Sequence, residues 1–363
     1  MEYMIADVDY SMIGRVAEFV VAEGVNLGWK WTDPAALATR FDWWLWGNPQ
    51  QGGCPRGWVA VSPNGAILGV TLVGAQRFVD LGGHLCDVAF SSSSYVSATA
   101  RGSVGAQLMG NYLALGNRFA LSTLTANVTG ASFFRRLRAD EVAGFSAEML
   151  CANHSGVFAG EWLNRHGAPL WLGNAVQWMG SFAPPRLGKN DKVRVCHLSG
   201  AEVSKVVIHP RWPGQRRGRV YIDTAYLHWR YAEHPFGATG LWEVTAKDGE
   251  TAWLGLHECQ RGTDQQIDCI SVIDTFGAPE LAAAGLLNIR RGAFEKKQLW
   301  FYRGSDDQFR AELKSVGFRQ RIVAAPPGWL KQDPHRARIM LSDRKSTRLN
   351  SSHRCTSRMP SSA

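Results

Sequence analysis

The chain has 363 residues, 45% of them hydrophobic, 20% charged and 11% aromatic, enough for two domains with cores of their own. Its formal net charge is +9, but the five Lys/Arg and one Asp between Asp343 and Ala363 supply +4 of that, and the mild remainder does not call for nucleic acid. The opening Met1–Asp7 carries acidic residues and no basic leader, and no apolar run approaches membrane-spanning length. Seven cysteines without a Cys-x-x-Cys fit buried, reduced thiols in a cytoplasmic protein, and the ten histidines form no ligand cluster, so no metal is expected.

In chain order, Met12, Val16, Phe19 and Val20 mark an amphipathic helix over Ser11–Ala22. Asp33-Pro34 starts a second helix that runs through Ala35–Trp46 and stops at Asn48-Pro49. Trp58–Val61 and Ile67–Val73 flank Pro63-Asn64-Gly65, a hairpin signal. His84–Phe90 is apolar enough for a buried strand, which Ser91–Ser94 is expected to end. Ala100–Ala106 is a small-residue turn feeding a helix with Val104, Leu108, Tyr112 and Leu115 on one face. Such a turn leaves backbone N–H groups pointing outward with no side chains in the way, which suits a phosphate. Arg118–Ala126 reads as a strand, Asn127 opens a short helix with Ala131, Phe134 and Leu137 on its apolar face, and Val142–Cys151 is a closing strand.

Ala183–Lys189 reads as a linker, and beyond it the pattern repeats. Trp229-x-Tyr231-x-x-His234-Pro235 matches Trp43-x-Leu45-x-x-Asn48-Pro49 at an offset of 186; Trp242–Gly249 matches Trp58–Gly65 at 184; Leu254-Gly255 matches Leu68-Gly69 at 186. Strand Ile267–Ile273, helix Ala278–Phe294, strand Leu299–Tyr302 and helix Asp306–Val316 follow. The expected division is therefore 1–182, a linker at 183–190, a second copy at 191–342, and a tail at 343–363. Asp343–His353 resembles the in-frame translation of a widely used sequencing adapter, which places 343–363 outside the natural fold.

The order and spacing resemble the GNAT (GCN5-related N-acetyltransferase) superfamily. In that family the turn between the fourth strand and third helix reads Gln/Arg-x-x-Gly-x-Gly/Ala and holds the CoA pyrophosphate. Here it aligns with Ala100–Gly105, keeping Gly105 and carrying Ser103 for the first glycine. The next family segment, Asn-x-x-small-x-x-x-Tyr, aligns with Asn127, Gly130 and Phe134, a phenyl ring where the family has its tyrosine. The resemblance implies an α/β fold (α+β mixed sheet) of two tandem GNAT-like acyl-CoA N-acyltransferase units, the second degenerate because Asp274–Pro279 has no Gly-x-Gly. It implies acetyl-CoA as co-substrate, with Val88, Ala89, Phe90, Arg101, Gly102, Ser103, Val104, Gly105, Ala106, Asn127 and Phe134 as cofactor contacts. Asp87 is the candidate general base, and the thiolate's proton would come from solvent, Tyr95 or Tyr112 in place of Phe134.

The expected reaction is transfer of an acetyl (acyl) group to a small-molecule amine or amino-sugar acceptor. Two alternatives stand beside it: a FemAB-like or other double-GNAT transferase acting on a cell-envelope or polysaccharide precursor, and a non-catalytic ligand-binding protein of the same fold. Trp43, Trp44, Trp46 and Trp58 read as packing rather than a carbohydrate platform. Arg211, Arg216, Arg217 and Arg219 form a basic loop that is either a solvated insert or a site for an acidic acceptor.

Overall fold

A computed structural model of the chain describes residues 2–25, 33–79, 83–123, 140–141, 147–153, 156, 159–160, 163, 167–180, 192–208, 219–237, 239–261, 267–294, 297–304, 306–322 and 328–329. Two compact units result, and they interleave along the chain. One takes Met1–Val142, Val207–Pro235 and the segment from Ala325; the other takes Ala143–Val206 and Phe236–Ala324. The expected break at 183–190 followed chain continuity, whereas the units follow strand pairing.

The first unit contains β1 (Met4–Asp7), α1 (Ile13–Val25), α2 (Pro34–Phe41), a π-turn (Asp42–Trp46), β2 (Gly57–Val61), β3 (Ile67–Val79), β4 (Leu85–Val96), α3 (Ser103–Ala114), β5 (Ala120–Thr123) and β6 (Asp140–Glu141). The second unit opens with β7 (Ala147–Ala152), α4 (Leu170–Gly180), β8 (Val193–His197) and α5 (Gly200–Val203). The chain then returns to the first unit with β9 (Arg219–Val220), α6 (Thr224–Leu227) and a second π-turn (His228–Ala232). β10 (Thr239–Ala246), β11 (Thr251–Arg261), β12 (Ile267–Phe276), α7 (Pro279–Arg291), β13 (Leu299–Tyr302), α8 (Asp307–Ser315) and β14 (Arg319–Ile322) complete the second unit, and β15 (Gly328–Trp329) belongs to the first.

Among the described residues the first sheet runs β1-β2-β3-β4-β5-β15-β6, with β9 also pairing β3, and the second runs β8-β10-β11-β12-β13-β7-β14. Both have the same plan: a run of antiparallel strands, one parallel pair (β4/β5, β12/β13), then two more strands. The strand expected to close the first sheet, found here as β7, instead pairs β13 and β14 in the second. β15, from late in the chain, takes the corresponding place between β5 and β6. Each sheet is thus completed by a strand from the other half of the sequence.

The repeat also surfaces as a direct contact within the first unit. The Trp43 and Trp229 rings stack at 4.6 Å with 14° between planes. The Trp43 indole N–H donates to the Trp229 carbonyl at 3.0 Å, and the Trp229 indole N–H donates to the Trp43 carbonyl at 2.8 Å. Trp43, Trp44 and Trp58 are buried, as packing residues would be. Of the cysteines expected to be buried, Cys196 is exposed and Cys86 half-buried, while Cys54, Cys151, Cys259 and Cys269 are buried.

The linker at 183–190, Arg211, Arg216, Arg217 and residues 343–363 lie outside the described residues. Ending the chain at Ser342 is expected to leave the melting temperature unchanged within error in a thermal scan. A drop of several degrees would show that the tail packs.

Candidate functional site

β4 runs the length of the first sheet, and its two ends do different things. Near its start Val88, Ala89, Phe90 and Ser91 pair in parallel with Ala120, Leu121, Ser122 and Thr123 of β5. On its other side the same stretch pairs with β3, Val88 opposite Gln76 and Phe90 opposite Gly74. Farther on, Ser92 pairs Leu72 but Tyr95 pairs Val70, so Ser93 and Ser94 stand opposite Thr71 alone. This is a one-residue bulge, and Ser93 takes it up with φ +49°, the only described non-glycine residue in the left-handed region. The serine run therefore does not end the strand. Pairing to β3 is made by main-chain groups, which serines supply as well as valines do, and β4 continues to Val96.

Beyond Ser91, no described residue of β5 pairs with β4. Ser92–Val96 is the part of β4 that lies past this ladder. The second sheet has a bulge at the matching place: Gly255 pairs Asp274 but Leu256 pairs Val272. Gly255 borders the second bulge, and Gly69, 186 residues earlier, pairs Val96 two residues from the first. At Gly69 an added Cβ would lie 2.9 Å from Val104 Cγ1 and 3.1 Å from Leu108 Cδ1, so its bare backbone lets α3 lie close against the sheet.

α3 buries Val104, Leu108 and Tyr112 against that face, one apolar residue per turn. Each such burial contributes about 1.5–3 kcal/mol, which fixes the helix start next to the bulge. The first bond at the helix start runs from the Ala106 N–H to the Gly102 carbonyl at 2.9 Å. The N–H groups of Ser103, Val104 and Gly105 precede it and have no acceptor within the helix. Gly102 adopts φ +102°, ψ −96°, and an added Cβ there would meet nothing within 4 Å. Arg101, Gly102, Ser103 and Ala106 are exposed, Gly105 is half-buried, and Val104 points into the core.

The corresponding turn of the second sheet is closed. Gly277 also has positive φ, but an added Cβ would lie 2.8 Å from both Ala252 Cα and Thr251 O, so protein already occupies the space. α7 then opens with Pro279, which has no N–H, and Glu280, which repels an anion.

Of the residues expected at the site, the structure brings together Arg101, Gly102, Ser103, Val104, Gly105 and Ala106. It does not bring Asp87 to them. Asp87 stands near the start of β4, half-exposed, with its carboxylate 3.2 Å from Arg77 Nε. Six residues of extended chain, about 20 Å, separate it from Ser93. Val88, Ala89 and Phe90 are buried with strands paired on both sides, so their main chain has no open edge to offer a ligand. The stretch that no described residue of β5 pairs is Ser92–Val96, which the apolar pattern of the sequence did not mark. Asn127 and Phe134 lie outside the described residues. Tyr112 is wholly buried, and its hydroxyl donates towards the carbonyls of Ser122 and Ala89, tying β5 to β4. Burial pushes the Tyr112 phenol well above its usual range, and does the same for Tyr95. The Cys54 thiol is pushed up to about 12 by burial and stays protonated.

No protein-family model and no curated protein matches the sequence. Among solved structures, the chain is similar to a conserved protein of unknown function from Enterococcus faecalis V583, described as a probable N-acyltransferase, at 10% identity and TM-score 0.58, over 96% of this chain and 74% of that one. It is similar to the N-myristoyltransferase of Saccharomyces cerevisiae with bound myristoyl-CoA, at 9% identity and TM-score 0.57, over 94% and 84% of the two chains. It is also similar to a GCN5-related N-acetyltransferase from Anabaena variabilis, at 7% identity and TM-score 0.53, over 90% and 72%. At these identities the likeness is one of fold: the chain has the GNAT acyltransferase fold, and each of its sheets carries the plan once.

Proposed function

We propose that the chain is an N-acyltransferase that takes an acetyl group from acetyl-CoA and binds one CoA per chain, at the start of α3. The observation that carries this is the open turn before α3: three N–H groups free of helix acceptors, beside the stretch of β4 that no described residue of β5 pairs. The pyrophosphate lies against the N–H groups of Ser103, Val104 and Gly105, with the helix dipole and the exposed Arg101 favouring its charge. The amides of the pantetheine arm run along β4 at Ser92–Val96, past the described β5 ladder, and not at Val88–Phe90. This carries the thioester towards Ser91–Ser93, at the end of that ladder.

In the reaction a neutral amine attacks the thioester carbonyl carbon. The C–N bond forms, the C–S bond breaks, the nitrogen loses a proton, and the CoA thiolate gains one. Tyr95 and Tyr112, with phenols raised by burial, hold their protons too tightly to donate readily. In our reading the thiolate is protonated by water, and the amine enters already neutral. Release of free thiol from acetyl-CoA, driven by a panel of amines and amino sugars, tests the proposal. CoA binding without thiol release for any acceptor would leave a binding protein and overturn the enzyme.

Because Asp87 is distant from Ser93 and paired with Arg77, Asp87→Asn is expected to lower kcat/KM less than tenfold. A general base contributes roughly 100- to 10,000-fold. A loss in that range, with KM for acetyl-CoA unchanged, would restore Asp87 as the base.

A further inference from the structure

On the face of β3 opposite α3 lies a group of buried polar atoms that the fold does not use. Gly74 leaves room there for two rings: an added Cβ would lie 2.7 Å from Phe90 Cε2 and 2.8 Å from Trp44 Cζ2. Trp44 and Phe90 stack over it at 6.0 Å and 28°. Trp44 is 3% exposed, yet its indole N–H has no acceptor. Gln76 follows two residues along β3 on the same face and is 1% exposed. Its Nε2 donates to the Tyr226 hydroxyl at 3.2 Å, but its Oε1 accepts nothing. A buried polar atom left without a partner is costly, and these two lie on one face of the same sheet.

The same unit also buries two positive charges. The reciprocal bonds of Trp43 and Trp229 bring the two π-turns together, and with them Arg40, three residues before Trp43, and Arg230, next to Trp229. Arg230 also lies one helical turn beyond Tyr226, whose ring packs on Trp229 at 5.3 Å. Arg40 is 7% and Arg230 4% exposed. Both make other contacts, so neither guanidinium is free. Even so, they repel each other: burial first, and then the charge of Arg230, holds Arg40 down to about 10. Two buried guanidiniums close enough to repel raise the local positive potential, which favours an anion.

We infer that this face is the acceptor subsite and that it selects an amine bearing a carboxylate. The carboxylate accepts from the Trp44 indole N–H within the field of Arg40 and Arg230, and a ligand N–H or O–H donates to Gln76 Oε1. The inference rests on the acyltransferase reading for the word acceptor: Phe90 is one residue from Ser91, so the subsite adjoins the place proposed for the thioester.

The test uses the full chain and the twenty L-amino acids, each beside its α-carboxamide, at matched ionic strength, with and without CoA. Binding is read by thermal shift and equilibrium dialysis. At least one acid should bind ten times more tightly than its amide. Trp44→Phe, which keeps a ring and removes the N–H, and Gln76→Leu, which removes the orphan oxygen, should each weaken that acid at least tenfold while CoA binding persists. Should one variant fail to fold, the other carries the test. Equal binding of acids and amides, no acid binding, or folded variants that bind as the wild type does would each overturn the inference. Separate CoA titrations keep the two readings apart. Acid preference without CoA binding overturns the acyltransferase and leaves the subsite; CoA binding without acid preference overturns the subsite alone.

Discussion

Trp43→Ala is expected to cost about 3–5 kcal/mol of stability, the range for removing a large buried ring and leaving a cavity. That is a large share of the roughly 5–15 kcal/mol by which domains are stable. The ring is 8% exposed and stacked on Trp229, and its N–H satisfies the Trp229 carbonyl. The substitution therefore removes area, an aromatic pair and a buried hydrogen bond at once. Trp229→Ala should cost about the same, because the bonds are reciprocal. Trp43→Phe keeps most of the stack and loses one hydrogen bond, so about 1 kcal/mol is expected. Chemical denaturation of the three variants decides the matter. A loss below 1 kcal/mol for either alanine would mean that the paired π-turns do not hold the first unit together.

Gly105→Glu should abolish CoA binding while leaving the protein at least as stable as before. An added Cβ at Gly105 would meet only Val96 Cγ2, at 3.6 Å, an ordinary contact. Replacing a helical glycine gains about 0.5–1 kcal/mol, and an acidic residue in the first turn suits the helix dipole. For a bound pyrophosphate the same change is severe. Two unit charges 4 Å apart near a protein surface repel by about 4 kcal/mol, which corresponds to several-hundred-fold in affinity. Calorimetric titration with CoA, paired with a melting curve, separates the two effects. A stable variant that binds CoA as the wild type does would remove the α3 turn from the site.

The elements that carry their own periodicity were legible in the sequence. Val104, Leu108 and Tyr112 marked α3, and Pro63-Asn64-Gly65 marked the turn between β2 and β3. The offset of 186 proved to be a physical pairing, since Trp43 and Trp229 are bonded to one another. What could not be read was partner choice. Ala147–Ala152 is strand-like in any sheet, and nothing local says that β13 and β14 flank it. Ser91–Ser94 looks like a break because side-chain propensity is silent about main-chain pairing, which continues through the bulge. Asp87 has the residue type of a base on an apolar strand, but the length of extended chain between it and Ser93 places the two far apart. Gln76 gave no signal and Trp44 read only as packing, because an orphaned hydrogen-bonding atom is a property of neighbours that only folding assembles.

The central claim is that one acyl-CoA site exists per chain and that it lies at the α3 turn, because Gly102 opens onto free space while Gly277 packs against β11. Isothermal titration of the full chain with CoA measures this directly. The account predicts a stoichiometry of about one, by the anion-binding argument for an open helix start, and none in Gly105→Glu. Two equivalent sites, or no heat of binding in the folded wild type, would contradict it.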